Sequence, residues 1–261
     1  MSATQSQNLP LWVQDREKVI ASSIDNEWRG GKPPDYSESN QGLASESQAN
    51  HPMGSLEAIV ENLVRIFELE ASFKTNPKQW LSVVNEKFRM SSNGGEQFSA
   101  ADISFSGTYN LFIGDAEEYK ASEENFESSG RLFRSAFPSG FLWEVLEVYS
   151  SPPNVTFKWR HWGTFNGAYK DYAPTGEVVE IIGMSIARVT DDLKIISVEH
   201  YFDNSQFLAK LTSGGKHGSR DKSLWATIKR FFNIREQQPT SQQLATSCPF
   251  KKLAGSFNSS N

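Results

Sequence analysis

The sequence predicts an α+β fold in which helices come first and an antiparallel sheet follows. Apolar residues recur at helical spacing over residues 55–73, which favours an amphipathic helix. Residues 141–149 and 155–163 instead alternate with the two-residue period of strands. The turn signal Ser151-Pro152-Pro153-Asn154 joins these two stretches and is typical of an antiparallel meander.

The helices are predicted in the first half of the body. Ser55 is placed to cap a helix over residues 55–73. A short helix is predicted within 100–113, and a long one over about 117–136, with acidic residues early and basic residues late, as the helix dipole favours. Pro138 follows directly and predicts the end of the long helix.

The strands are predicted in the second half. Beyond the first two, residues 177–189 and 194–203 read as further strands, separated by the turn Thr190-Asp191-Asp192. A short helix over about 207–211 follows. The sheet therefore spans about residues 141–203.

Residues 1–54 are predicted to be an extended N-terminal arm. They are rich in Ser, Asn, Gln, Gly and Pro, a composition that does not build a core unaided. Trp28 and Tyr36 bracket a Gly-Gly and Pro-Pro stretch, and we expect both to dock on the body while residues 1–20 stay mobile. An incidental Trp in a linker is the alternative.

The chain divides in this interpretation into the arm, a domain at 55–211, and residues 212–261. The last segment comprises a linker, an amphipathic helix at 222–235 with a basic face, and a flexible tail. The helix either packs on its own domain or lies on an anionic membrane.

Composition excludes several classes of protein. A net charge of −5 argues against a nucleic-acid partner. Cys248 is the single cysteine, so no intrachain disulfide forms. The N-terminus lacks a secretory pattern, and no apolar run approaches the ~20 residues of a membrane span, so we expect a cytoplasmic protein without an integral membrane segment. The histidines are scattered and no phosphate-binding loop is present, so neither a metal nor a cofactor is expected: His51, His161, His200 and His217.

Four motifs in the second half resemble the SnoaL-like family. They are Arg134-Ser135-Ala136-Phe137-Pro138, Trp159-Arg160-His161-Trp162-Gly163-Thr164, Pro174-Thr175-Gly176 and Glu199-His200-Tyr201-Phe202-Asp203. The chain resembles the plant pathogen-related proteins more closely still. That likeness rests on Trp28 to Tyr36, Glu144 to Pro152, Arg160 to Gly163 and the terminal Cys248-Pro249.

The resemblance implies an NTF2-like cone, in which a curved sheet wrapped by helices encloses an apolar pocket. SnoaL-like cyclases use a carboxylate near the end of the last strand as acid/base, and this position corresponds to Asp203. Strand alternation places Glu199 and Tyr201 on the same face. We expect the cone to raise the pKa of the Asp203 carboxyl. The alternative is that Asp203 caps the following helix.

His161 is the second candidate catalytic residue. It shares a strand face with Trp159, and on the concave face it would pair with Asp203 or bind a ligand carbonyl. The alternative is a buried neutral histidine bonded to backbone. Trp143 and Tyr149 complete the expected pocket lining, although such aromatics more often belong to a core. Where the family often has a third-strand histidine, this sequence has Ser185.

Three functions follow from the resemblance. The first is a pathogen-related protein that binds a small apolar metabolite and is linked to stress or defence. The second is a polyketide-cyclase-like or isomerase-like enzyme that uses Asp203. The third is a non-catalytic module that forms a homodimer through the open sheet face.

Overall fold

The computed structural model describes residues 9–216. Seven α-helices lie in this range: α1 Arg16–Ser22, α2 Ser37–Glu46, α3 Leu56–Phe73, α4 Ala100–Ser106, α5 Thr108–Ile113, α6 Phe126–Ala136 and α7 Asn204–Thr212. Five strands complete it: β1 Arg89–Ser92, β2 Leu142–Val148, β3 Asn154–Thr164, β4 Val178–Val189 and β5 Ile195–Tyr201. The predicted helix at 222–235 and the Cys248-Pro249 motif lie outside the described residues.

The strands form one mixed sheet in the order β1-β5-β4-β3-β2. The pairs β2–β3, β3–β4 and β4–β5 are antiparallel, which confirms the predicted meander. β1 pairs in parallel with β5 and adds an edge strand that the sequence pattern did not reveal. Its four residues are too few to show a period, so it depends on β5 for its definition.

α3 is the main helix that packs on the sheet. Ser55 caps it by accepting a hydrogen bond from the Ala58 N–H at 3.2 Å, as the sequence predicts. Its buried residues Leu63 and Phe67 belong to the same core as Phe157 of β3. Burying such side chains stabilises the fold by about 1.5–3 kcal/mol each, so α3 fixes which face of the sheet becomes the interior.

α6 is shorter than predicted. It begins at Phe126 rather than near residue 117. The Asn125 side chain accepts hydrogen bonds from Glu127 N–H and Ser128 N–H and so starts the helix there. The acidic residues before Asn125 form a bridge, a turn and a short 3₁₀ helix at Ala121–Glu123 instead. The dipole pattern alone therefore placed the start too early.

The N-terminal arm contains helices where the sequence analysis expects extended chain. α1 and α2 both lie within it, and Val19 of α1 is fully buried. The expectation of mobile chain up to residue 20 is therefore wrong for the part that contains α1. Trp28 is buried against the body, and Tyr36 meets Phe73 edge-on with ring centroids 6.1 Å apart. The sequence did not predict these helices because their composition is polar. Their few apolar residues pack on the body rather than on each other.

Candidate functional site

The inner face of the sheet is apolar and aromatic. Alternation places Phe157 and Trp159 of β3 and Val198 of β5 on the face that α3 covers, and all three are buried. Trp143 of β2 is half-buried beside them and meets Phe157 edge-on. Trp159 and Trp143 therefore lie in the interior, where a ligand of the cone would lie.

Trp159 crosses the neighbouring strand to reach a polar pair. A Cβ at Gly183 would lie 2.2 Å from an indole carbon of Trp159, so only glycine leaves room for this path. The indole N–H donates to Ser185 Oγ at 2.8 Å. Ser185 Oγ in turn lies 2.6 Å from Nδ1 of His200. These residues form a hydrogen-bonded chain across β3, β4 and β5, in which Trp159 and Ser185 are buried and His200 is half-buried.

The hydrogen bonds among Trp159, Ser185 and His200 determine which ring nitrogen of His200 carries the proton. The indole N–H of Trp159 only donates, so Ser185 Oγ accepts from it. The Ser185 hydroxyl then has its own hydrogen for His200 Nδ1, and that assignment puts the His200 proton on Nε2. Burial lowers the pKa of His200 to about 4, so the ring is neutral near pH 7. Its Nε2–H has no acceptor among residues 9–216.

His161 is the other inner-face imidazole. Its ring stacks on Phe141 with centroids 3.9 Å apart. Burial lowers its pKa to about 3, and a backbone hydrogen bond to Leu142 only partly opposes that shift. Within residues 9–216, Nδ1 of His161 is buried and has no hydrogen-bond partner. A buried unpartnered ring nitrogen is uncommon and costs about 1–3 kcal/mol.

The two imidazoles occupy different ends of the inner face. His161 pairs in register with Ile181 of β4, whereas His200 pairs with Ser185. Four residues along a strand span roughly 13 Å. His161 packs near Phe141, and His200 lies edge-on to Phe112. One small ligand therefore contacts one imidazole or the other.

Asp203 does not lie in the cone. Its side chain is exposed and accepts hydrogen bonds from the Ser205 N–H at 2.9 Å and the Ser205 hydroxyl at 2.6 Å. It is the N-cap of α7. The Ser205 hydroxyl and then its N–H lower the pKa of the Asp203 carboxyl, whereas we expected burial to raise it. The expected pairing with His161 is also wrong, because that ring faces the interior.

Three further predicted pocket residues lie elsewhere. Glu199 and Tyr201 alternate with the inward His200, so they occupy the outer face, where Tyr201 is 42% exposed. Glu199 accepts a hydrogen bond from the Gly94 N–H at 2.9 Å. Tyr149 follows β2 and is 51% exposed. Alternation grouped Glu199 and Tyr201 correctly but did not say which face is covered.

Sequence reasoning missed the polar chain of the interior. Ser185 was noted only as a departure from the family pattern, and no role in the site was predicted for His200. The available signal was Gly183, since a glycine inside a strand often marks a close approach by another group. What approaches it, Trp159, depends on the β3–β4 register.

The described part of the chain contains neither a metal-binding cluster nor a membrane-spanning helix. Residues 9–216 hold no group of three or more His, Cys, Asp or Glu side chains arranged to bind a metal ion. None of the helices in this range is long and apolar enough to cross a membrane.

Comparison with known proteins identifies relatives. A family model described as SnoaL-like polyketide cyclase matches residues 114–211. A pathogen-related protein of Hordeum vulgare is 34% identical over 189 residues, which cover 70% of this chain and 80% of the relative.

Solved structures with likeness to the chain have low identity. A protein with a ketosteroid isomerase-like fold from Catenulispora acidiphila is 14% identical, covers 58% of this chain and 92% of its own, and has a TM-score of 0.35. An NTF2-like protein from Cytophaga hutchinsonii is 10% identical, covers 54% of this chain and 95% of its own, and has a TM-score of 0.30. The match to the Hordeum vulgare protein carries the assignment: the chain belongs to the family of plant pathogen-related proteins.

Proposed function

We propose that this protein binds a small, mostly apolar molecule against the inner face of its sheet, with His161 as the polar contact. The observation that carries the proposal is the buried, unpartnered Nδ1 of His161. A ligand group that hydrogen-bonds this nitrogen would remove an energetic penalty that the protein bears alone.

The surroundings of His161 support an apolar ligand body. Phe141, Trp143 and Ile181 are half-buried rather than fully buried and pack against the two apolar clusters of the interior. Ile181 contacts both clusters and so lies at their junction. Displacing such partly exposed side chains costs less packing than opening a fully buried region. We therefore place the ligand at this junction.

The cyclase-like alternative finds less support. It uses Asp203 as general acid and base, and such a group needs a pKa near the working pH and a position beside the substrate. The exposed capping position and lowered pKa of Asp203 favour neither. We therefore propose binding without turnover at Asp203.

The biological setting is proposed from the relative and the composition. The Hordeum vulgare protein is named pathogen-related, and on that basis we propose a role linked to stress or defence. A single cysteine, Cys248, excludes intrachain disulfides and supports a cytoplasmic location.

Calorimetric titration with 6-acetyl-2-naphthol tests the binding proposal. This probe joins an apolar bicycle to one hydroxyl and one ketone, so it satisfies either tautomer of His161. We expect His161→Phe, which keeps the aromatic stacking, to bind about five-fold more weakly, as the loss of one ~1 kcal/mol hydrogen bond gives. Tyr201→Phe on the outer face is the control and should bind as the wild type does. Equal affinity of all three proteins would contradict the proposal.

A homodimer is a second candidate, favoured by one observation. β4 exposes three apolar side chains in a row on the outer face, Ile182, Met184 and Ile186, at 43%, 41% and 48%. The neighbouring β2–β3 part of this face is occupied by the end of α2, where Glu46 accepts from the Trp162 indole N–H at 2.9 Å. A second copy is the partner that this row suits, since apolar rows left open are typical of interfaces.

Sedimentation velocity tests the dimer. We expect the wild type to sediment as a dimer and Ile186→Lys as a monomer. Phe105→Lys is the control, because Phe105 is 84% exposed on α4, away from the row. A monomeric wild type would end this candidate and leave the ligand proposal intact.

A further inference from the structure

A second cleft lies between the N-terminal arm and α3. Its volume is about 790 Å³, within the range of small-molecule sites. Three segments of the chain line it: residues 9–18, residues 43–54 and residues 58–65. Its apolar lining residues include Leu9, Val13, Leu43, Ala58 and Ile59.

The arm is fastened on both sides of this cleft, so the cleft is held open. On one side, Trp12 donates its indole N–H to the Asp192 carbonyl at 2.9 Å. On the other, the buried Glu144 carboxylate accepts from the Gln48 and Ala49 N–H groups at 3.0 and 3.1 Å. Collapse of the cleft would break these bonds. A preformed space loses less entropy on binding than one that must be ordered.

The charges in the lining balance. Glu61 and Arg65 form an ion pair at 2.7 Å. Asp15 and Lys18 contribute one charge of each sign, and Asp15 is already the cap of α1. The lining therefore offers no net charge to an ionic ligand, and it favours a neutral one.

In the described part of the chain, the polar lining atoms without hydrogen-bond partners include two acceptors, on His51 and Asn62, and one buried donor, Arg65 Nε. The Val145 carbonyl accepts from His51 Nε2 at 2.7 Å, so the neutral ring leaves Nδ1 as an acceptor. Asn62 donates its Nδ2 to the Val13 carbonyl at 3.2 Å, which leaves Oδ1. Neither His51 Nδ1 nor Asn62 Oδ1 has a hydrogen-bond partner within residues 9–216. A ligand that pairs with His51 Nδ1 and Asn62 Oδ1 must bring hydrogen-bond donors, and the oxygen of a hydroxyl group can also accept from Arg65 Nε.

We propose that this cleft is a second binding site, for a neutral molecule with an apolar body and hydroxyl groups. The hydroxyls donate to His51 Nδ1 and Asn62 Oδ1 while the body lies on the wall of Leu9 and Ile59. The site is separate from the inner-face site, since none of its lining residues is among His161, Phe141, Trp143 and Ile181.

Calorimetry on the full chain with bisphenol A tests the proposal, and its dimethyl ether is the matched probe without donors. We expect the ether to bind at least five-fold more weakly than bisphenol A. Ala58→Trp and Ala44→Trp fill the cleft from two different walls, and each should lower bisphenol A affinity at least ten-fold. Ala209→Trp, on the exposed side of α7, is the control and should bind as the wild type does.

Each possible negative result contradicts a specific part of the proposal. Wild-type affinity in both filling variants, or no binding by the wild type, would overturn the site. Equal affinity for the ether would overturn the requirement for donors. His161→Phe should leave bisphenol A binding at this cleft unchanged, so the outcome does not depend on the inner-face proposal. Thermal melting of each variant confirms that the protein titrated is folded.

Discussion

Ser185 Oγ lies 2.6 Å from Nδ1 of His200, and this contact joins β4 to β5 inside the core. Both residues lie on the covered face of the sheet, and Ser185 is fully buried. Because Ser185 also accepts the indole N–H of Trp159 at 2.8 Å, three consecutive strands share one polar chain. These two hydrogen bonds favour a single register of the three strands in an otherwise apolar interior.

Gly183→Ala tests the path of the indole. The added methyl would meet Trp159 at 2.2 Å, so the ring must move and its bond to Ser185 breaks. We expect unfolding free energy to fall by about 2–3 kcal/mol, as overpacking of a core typically gives. Urea unfolding measures this. Gly30→Ala, where a methyl meets nothing within 4 Å, is the control. Equal stability of the two variants would contradict the described packing.

The half-buried imidazoles of His161 and His200 make stability depend on pH. Their pKa values of about 4 for His200 and about 3 for His161 lie below the ~6.5 of an unfolded chain. Below pH 6.5 the two imidazoles therefore bind protons in the unfolded state but stay largely unprotonated in the folded state. The stabilisation is full above that pH and is lost as pH falls from about 6.5 toward about 4 and 3. At pH 5 each histidine costs about 2 kcal/mol.

His161→Phe isolates one of these contributions. Between pH 7 and pH 5, the variant should lose about 2 kcal/mol less than the wild type in urea unfolding. Met53→Ala, a change of an exposed side chain that does not titrate, should keep the wild-type dependence. If His161→Phe and the wild type lose the same amount, the ring of His161 is not held neutral by burial.

Trp28 holds the arm on the body. It is 8% exposed and donates its indole N–H to the Ser23 carbonyl at 3.1 Å. Trp28→Ala should lower the unfolding free energy by about 3 kcal/mol, which shifts the melting temperature by roughly 10 °C. Deletion of residues 1–40 should lower it further. Met53→Ala is the control, because Met53 is 93% exposed. Unchanged melting after the deletion would mean that the arm is only a tether.

Asp203 should behave as a cap. Asp203→Ala should cost about 1 kcal/mol and Asp203→Asn close to nothing, because asparagine caps equally well. Neither change should alter affinity for 6-acetyl-2-naphthol. A ten-fold loss of binding in Asp203→Asn, with stability intact, would restore this residue to the functional site.

The sequence predicted the parts of the fold that periodicity controls. The helix capped by Ser55 and the four antiparallel strands have long repeating patterns, and the structure confirms them. β1 has four residues and takes its identity from β5. α1 and α2 consist largely of polar residues and are helical through contact with the body. Neither kind of element carries a period that a pattern could reveal.

The candidate site was predicted less well, for a physical reason. Alternation says which residues share a face, but only packing says which face is covered. Trp159 and His161 were assigned to the concave face, whereas Tyr201 on β5 faces outward. Asp203 lies just past the last strand, where the start of α7 determines its contacts. The resemblance to the family predicted a catalytic role for the Asp203 carboxylate. In the structure this carboxylate caps α7 and lies outside the interior.

Native mass spectrometry of the full-length protein purified from its natural source tests the central claim most directly. We expect a wild-type mass that exceeds that of the bare chain by one small apolar molecule. We also expect that His161→Phe, exposed to the same extract, carries that molecule at about one fifth of the wild-type occupancy or less, whereas Tyr201→Phe carries it fully. A wild-type mass equal to the bare chain, or the same occupancy in His161→Phe, would contradict the claim that His161 anchors a ligand.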